Sequence, residues 1–321
     1  MKQVTAKNVA IICPTKNQPT KVLRLLESIA HLDEMPQQII IADGGHNLKP
    51  FLTAFAAQLN LICLYCPEIG QIMQRNHAHA YLDKSIKLVL HLDDDTTLEP
   101  DSISEMISFW NEEAKKSAPP LAGVSFNVQD LPKVKPSALR KLFFLNSEPA
   151  GHVSKAGYAA PFAPTENNLR TSWLLGGATA WSREVLKKHA HPINFPTRWA
   201  VCEDLIYSYQ LKNKYRLMVA ARARSYHNET YDKMSFQQGI FYGVSGTIMR
   251  YHFVRLNPEL RVLPFLWMTL GVIIGNLGRG IFGSPRHLGL SFGGMEGFYR
   301  VMVCSLAKGD SNALARTLNG K

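Results

Sequence analysis

Four short apolar runs, VAIIC (9–13), QQIIIADGG (37–45), NLICLYC (60–66) and KLVLHL (87–92), alternate with segments of helical period. This alternation constrains the fold more than any other feature. In TKVLRLLESIAHL, Val22, Leu25, Leu26 and Ile29 share one helical face. FLTAFAAQL (51–59) and QIMQRNHAHAYLD (71–83) also read as helices. Strand and helix in turn predict βαβ units, a mostly parallel Rossmann-like sheet with helices on both faces. Nearly continuous apolar strands agree, because such strands are buried on both sides.

Open parallel sheets bind ligands at the carboxyl ends of their strands. The residues at those ends are Pro14, Thr15 and Asn17, then Asp43, then Asp93, Asp94 and Asp95 in HLDDDTTLEPD. The dinucleotide fingerprint GxGxxG and the P-loop GxxxxGK[ST] are both missing, which argues against those two cofactor modes. Three adjacent carboxylates repel one another. Continued as a strand, the chain would point Asp93 and Asp95 to one side and Asp94 to the other. Two converging carboxylates need a cation, and Mg²⁺ or Mn²⁺ accepts one or two carboxylates together with substrate phosphates. The plain alternative is a solvated turn that caps a helix.

Beyond residue 120 the alternation is lost. Residues 126–170 are rich in Pro, Lys and Asn and read as loops with one short helix near 137–145. WLLGGATAWSREVLKKH (173–189) carries a Gly-Gly break, CEDLIYSYQLKN (202–213) reads as a helix, and YRLMVAARARSYHNE (215–229) as a strand leading to His227. The five cysteines are expected to be reduced thiols. The lone Cys63-x-x-Cys66 pair offers too few ligands for a zinc site.

The order PTKN, ADGG, QRN, LDDDTTLEPD, WLLGGATAWSRE, ED resembles the inverting family 2 glycosyltransferases of the GT-A fold, over about residues 8–230. That resemblance implies a nucleotide-diphospho-sugar donor. It implies that Pro14, Thr15, Asn17 and Asp43 meet the nucleotide, although Asp-Gly-Gly alone is also ordinary turn chemistry. Arg75, with Asn76, would pair with Asp93 or a phosphate. Asp93 and Asp94 would lie near ribose or sugar, and Gly176 and Gly177 would let backbone approach the donor. Asp95 and Asp93, with His227 as a third ligand, would hold Mn²⁺ or Mg²⁺. Asp204, or Glu203 if the register is off by one, would take the proton from the acceptor hydroxyl; the alternative is two acids at a helix N-terminus. The QxxRW motif of processive members does not follow the ED pair. Arg198-Trp199 precedes it instead, which implies addition of a single sugar.

Charge divides the chain. Residues 1–204 carry 21 Lys+Arg and 20 Asp+Glu, leaving 36 − 21 = 15 and 25 − 20 = 5 in the rear. A rear that is basic, apolar and glycine-rich points to an anionic membrane surface more than to nucleic acid. The uncharged run VLPFLWMTLGVIIGNLG (262–278) is marginal as a span. Resting on the membrane, spanning it, and forming a soluble oligomer interface stay open in that order. The N-terminal stretch does not read as a secretory signal, so a cytoplasmic location is expected, peripheral or monotopic at the membrane.

The expected organisation is a nucleotide-sugar half (1–125), an acceptor and catalytic half of the same GT-A domain (126–235) and a basic helical membrane-associated region (236–321). The expected activity is metal-dependent transfer of one sugar to a glycan or lipid-linked acceptor, without nucleic acid. Alternatives are a nucleotidyltransferase making an activated sugar, and an inactive membrane-bound scaffold that binds nucleotide-sugars. The first would show a Gly-rich basic loop where PTKN stands; the second would lack the carboxylates.

Overall fold

Residue alternation decides which core each strand side chain enters. The computed structural model describes residues 3–45, 48–67, 70–116, 119–146, 148–162, 164–195, 197, 201–228 and 234–306. Strand β1 (Val9–Thr15) sends Val9, Ile11 and Cys13 into one hydrophobic cluster and Ala10 and Ile12 into another. Parallel neighbours β2 (Gln38–Asp43), β3 (Leu61–Tyr65) and β4 (Leu88–Leu92) extend the sheet as β3-β2-β1-β4. Beyond β4 the sheet is mixed. Strand β8 (Ala178–Ser182) runs antiparallel to β4 and to β6 (Leu121–Val128), while β9 (Arg216–His227) runs parallel to β6. Short β5 (Thr96–Leu98) and β7 (Leu169–Thr171) both pair antiparallel with β9.

Helix α1 (Pro19–Ala30) buries Val22, Leu25, Leu26 and Ile29, the face read from the sequence. Helices α2 (Lys49–Ala56) and α3 (Gln71–Ala78) occupy their expected places. Helix α4 (Ser102–Ala114) buries Ile103, Met106, Ile107 and Trp110. Its Glu113 is buried and pairs with the buried Arg216 at the start of β9, whose Nη2 also donates to the Glu113 carbonyl at 2.6 Å. Helix α5 (Ala138–Leu142) is the short helix of the Pro-rich segment. Helices α6 (Arg183–Lys188) and α7 (Glu203–Leu211) follow. All five cysteines are free thiols.

The chain divides into two units. The first comprises residues 1–133, 162–193 and 207–229 and contains the whole sheet; the second comprises 134–161, 194–206 and 230–321. In the second unit, α8 (Phe236–Leu256), α9 (Val262–Ile281) and α10 (Pro285–Leu306) follow one another. Helices α8 and α10 touch backbone to backbone. A Cβ added at Gly293 would lie 2.0 Å from the Ile240 carbonyl oxygen, so only glycine fits that crossing. Helix α9 is long and apolar enough to cross a membrane, with mean hydropathy 1.4, and only 28% of its apolar stretch is buried. Leu263, Trp267, Leu270, Ile274, Leu277 and Ile281 form an exposed apolar stripe along it.

Candidate active site

The three aspartates are not part of a strand. Strand β4 ends at Leu92, and residues 93–95 form a tight turn in which Thr96 N donates to the Asp93 carbonyl at 3.1 Å. A turn, not strand alternation, sets where each carboxylate points. Asp94 Oδ2 accepts from Thr15 Oγ1 at 2.6 Å, at the end of β1. The reason is local: a strand would force alternate carboxylates apart, whereas a turn gives each its own counter-group. Burial pushes the Asp94 carboxyl up to about 6; the Thr15 hydrogen bond opposes this and the adjacent Asp95 adds to it.

Asp93 is held by α3 and by the turn before β8. Its Oδ1 accepts from Arg75 Nη2 at 2.8 Å and from Gln71 Nε2, and its N–H donates to the Gly177 carbonyl at 2.9 Å. Arg75 is fully buried. Gly177 is packed so closely that a Cβ there would fall 1.9 Å from Asp93 Oδ2. Gly176 shares that turn.

Asp95 is buried. Lys21 Nζ, from the first turn of α1, lies 3.1 Å from its Oδ2. Its Oδ1 is buried and accepts no hydrogen bond, with His227 Nε2 at 3.4 Å. Sheet register brings that histidine in: Thr96 pairs with His227 across β5 and β9, so residue 227 sits beside residue 95. Asn228 fastens the junction by donating from its N–H and Nδ2 to the Asp95 carbonyl at 3.0 and 3.1 Å. Ligand atoms of Asp93, Asp95 and His227 all lie within 4.8 Å of one another. Two carboxylates, one of them with an orphaned buried oxygen, and one imidazole fit a divalent ion.

The nucleotide-side candidates gather at the ends of β1 and β2. Pro14 and Thr15 pair with Ala42 and Asp43 in register. Asn17 adopts a left-handed backbone (φ 56°) and abuts Gly45. Asp43 is buried, and its two oxygens accept from Gly45 N at 2.8 Å and Leu48 N at 3.2 Å, which is turn chemistry. Gln74 ties the two strand ends together by donating to the carbonyls of Thr15 at 2.7 Å and Ala42 at 2.6 Å.

Three histidines adjoin Arg75. His79 Nε2 lies 2.9 Å from His91 Nε2, and His191 stacks on Tyr207 with ring centroids 3.6 Å apart. Burial lowers His79 to about 4, with Arg75 adding to the effect, and burial also takes His91 and His191 well below the ordinary imidazole range. The neutral imidazoles add no charge beside the buried guanidinium, which pairs with Asp93.

In the second unit, Glu203 and Asp204 open α7. Glu203 is buried, and Asp204 Oδ1 accepts from Leu205 N at 2.8 Å. The preceding Cys202 has φ 67°, a conformation that is costly for a residue with a Cβ and that recurs at functional sites. The Arg198-Trp199 pair lies outside the described residues. Sequence reasoning missed Lys21, Gln71, Gln74 and Asn228. For Gln71, Gln74 and Arg75 the signal was present, since positions i, i+3 and i+4 share one helix face.

Residues 10–144 match the model of glycosyl transferase family 2. No curated protein matches the chain. Among solved structures, a mannosyltransferase from Pyrobaculum calidifontis, PcManGT in complex with GDP-Man and Mn²⁺, superposes with a TM-score of 0.56 at 12% identity, over 94% of this chain and 88% of that one. TarS from S. aureus (residues 1–349) gives a TM-score of 0.49 at 14% identity, over 94% and 92%. The first likeness establishes a common fold.

Proposed function

We propose, from the premise that this chain carries a glycosyl transferase family 2 domain over residues 10–144 and is a glycosyltransferase, that it is a metal-dependent inverting enzyme. It moves one sugar from a nucleotide-diphospho-sugar to a hydroxyl of a glycan or lipid-linked acceptor. The observation that carries this reading is the convergence of Asp93, Asp95 and His227 at the carboxyl end of the sheet, beside the Thr15–Asp94 pair.

Asp93, Asp95 and His227 would hold the divalent ion. When bound, it supplies positive charge against the charge developing on the leaving diphosphate. Thr15, Asn17 and Asp43, with Pro14 in the strand, form the nucleotide side. Arg75 fixes Asp93, and Gly176 and Gly177 give the donor sugar room at that carboxylate. Asp204 takes the acceptor proton on the face opposite the leaving group, with Glu203 beside it. The absence of QxxRW after the ED pair supports one addition per cycle.

The enzyme works at the cytoplasmic face of a membrane, resting on it through the rear helices. The exposed stripe on α9, with Arg261 before the helix and Arg279 near its end, supports this.

Binding and hydrolysis of UDP-, GDP- and dTDP-sugars, measured with Mn²⁺, with Mg²⁺ and with chelator, test the reading. PcManGT was solved with GDP-Man and Mn²⁺, which makes that pair the first to try. One donor should bind in a metal-dependent way, and Asp95→Ala should abolish it. Failure to bind any sugar nucleotide under any metal refutes the proposal.

A further inference from the structure

We infer that the second unit binds a phosphorylated amphiphile in a cleft among α8, α9 and α10, with Arg250 as the phosphate anchor. As a statement about the acceptor this rests on the transferase reading; as a statement about binding it stands on the cleft.

The cleft has a volume of about 160 Å³. Thr247 and Arg250 line it from α8, and Phe265, Met268, Thr269 and Ile273 line it from α9. Arg250 has no carboxylate partner among the described residues. Its Nε is buried without a hydrogen bond, and its Nη2 reaches only the Cys202 sulfur, at 3.8 Å. Thiol sulfur is a weak acceptor. The two threonine hydroxyls donate to carbonyls of their own helices, Thr247 to Gly243 and Thr269 to Phe265, each at 2.9 Å. A guanidinium stays charged at any physiological pH, and leaving it in a mostly apolar cleft without an anion is costly. Its planar fork matches phosphate oxygens.

Tyr242 and Asn276 add a hydroxyl and an amide, and the rest of the lining, with Phe265, Met268, Val272, Ile273 and Leu290, carries no polar side chain, so the anion should bring apolar substance with it. Drug-sized ligands fill about 300–1,000 Å³. This cleft is smaller, so it takes a phosphate and the first few carbons of a chain, with the remainder outside. Gly246 leaves that volume open, because a Cβ built there meets no atom within 4 Å. Arg250 touches Cys202, which directly precedes Glu203 and Asp204. A phosphate on Arg250 therefore lies in the same unit as the acceptor-side acids and beside the residue that leads into them.

The test is calorimetric titration of the full chain with dodecyl phosphate below its micellar concentration. Parallel titrations use inorganic phosphate, a neutral dodecyl glycoside and phosphatidylglycerol vesicles. Dodecyl phosphate should bind saturably, with inorganic phosphate and the glycoside each at least about tenfold weaker. Arg250→Gln should weaken it by about 10-fold or more, the loss expected for charge-assisted hydrogen bonds. Gly246→Leu, which plugs the cleft at a helical site with free space, should weaken it similarly while circular dichroism stays as in wild type and thermal unfolding is no lower. Equal binding by folded Arg250→Gln or Gly246→Leu overturns the inference. So does equal binding of the glycoside, or binding to vesicles without binding of monomeric dodecyl phosphate. A wild-type chain that binds a sugar nucleotide but not dodecyl phosphate loses this inference alone.

Discussion

Replacing Gly177 by alanine isolates the geometry of Asp93 from its chemistry. The new methyl would start 1.9 Å from Asp93 Oδ2, and ordinary contact begins near 3.4 Å, so the two must separate by 3.4 − 1.9 = 1.5 Å. Either group can yield. If the carboxylate rotates, it gives up its ion pair with Arg75, a fully buried cation, at about 3–5 kcal/mol. If the 176–177 turn retreats, the Gly177 carbonyl loses the Asp93 N–H and the Thr96 hydroxyl, at about 1 kcal/mol each. The second route is cheaper, so the variant should fold with a loss of about 2 kcal/mol and a Tm lower by about 4–8 °C. A displacement of this size costs about 10²-fold in rate when the moved group positions the reaction. Donor hydrolysis with Mn²⁺, read beside thermal unfolding, checks both numbers. Gly246→Ala is the control for the substitution itself, since its methyl meets open space and removing a helical glycine should add up to about 1 kcal/mol. A folded Gly177→Ala with hydrolysis within about threefold of wild type would refute the assignment of Asp93 to the site.

Other substitutions follow from the same contacts. Lys21→Met removes the ammonium that sits on Asp95, so Mn²⁺ affinity, read by electron paramagnetic resonance without substrate, should rise by about tenfold; unchanged or weaker binding contradicts the contact. His79 stays neutral when folded because its pKa falls from 6.5 to about 4. Its contribution is intact above pH 6.5 and is lost as pH falls towards 4, about 3 kcal/mol in all. His79→Gln should therefore lower proton uptake on unfolding at pH 5 by about one, and an unchanged uptake excludes the buried neutral state. Glu113→Ala leaves the buried Arg216 uncompensated and should cost about 3–5 kcal/mol in urea unfolding, with a loss under about 1 kcal/mol counting against the pair.

The sequence exposed those parts of the site that follow from local period. Strands β1 to β4 and helix α1 announced themselves as apolar runs and one helical face, and the polar residues at the strand ends came with them. Helix α4 was legible too, with Ile103, Met106, Ile107 and Trp110 in helical register, but the turn-like EPDS before it drew attention away. The missing information was long-range. Lys21 meets Asp95 across 74 residues, and nothing local to LRLLES or DDDTT says so. His227 could be placed at a strand end, yet its proximity to Asp95 depends on the register of β5 against β9. Alternation does not extend to Asp94, because the ladder of β4 ends at Leu92. A period predicts orientation only while the hydrogen-bonded ladder lasts.

That turn also explains how three adjacent carboxylates persist. Asp93 faces Arg75 and Gln71, Asp94 faces Thr15, and Asp95 faces Lys21 and His227. Three acids thus stand against two fixed cations, and the raised pKa of Asp94 reduces the remaining charge further as pH approaches 6. Such a cluster attracts a divalent ion less than three free carboxylates would. The ion must compete with Lys21 for Asp95, whereas a diphosphate that brings its own negative charge gives both the ion and the displaced ammonium a partner. Ion and donor should then each bind more tightly in the presence of the other, by the same factor in either order. A site balanced in this way should resist filling by metal alone and assemble around the metal-donor pair.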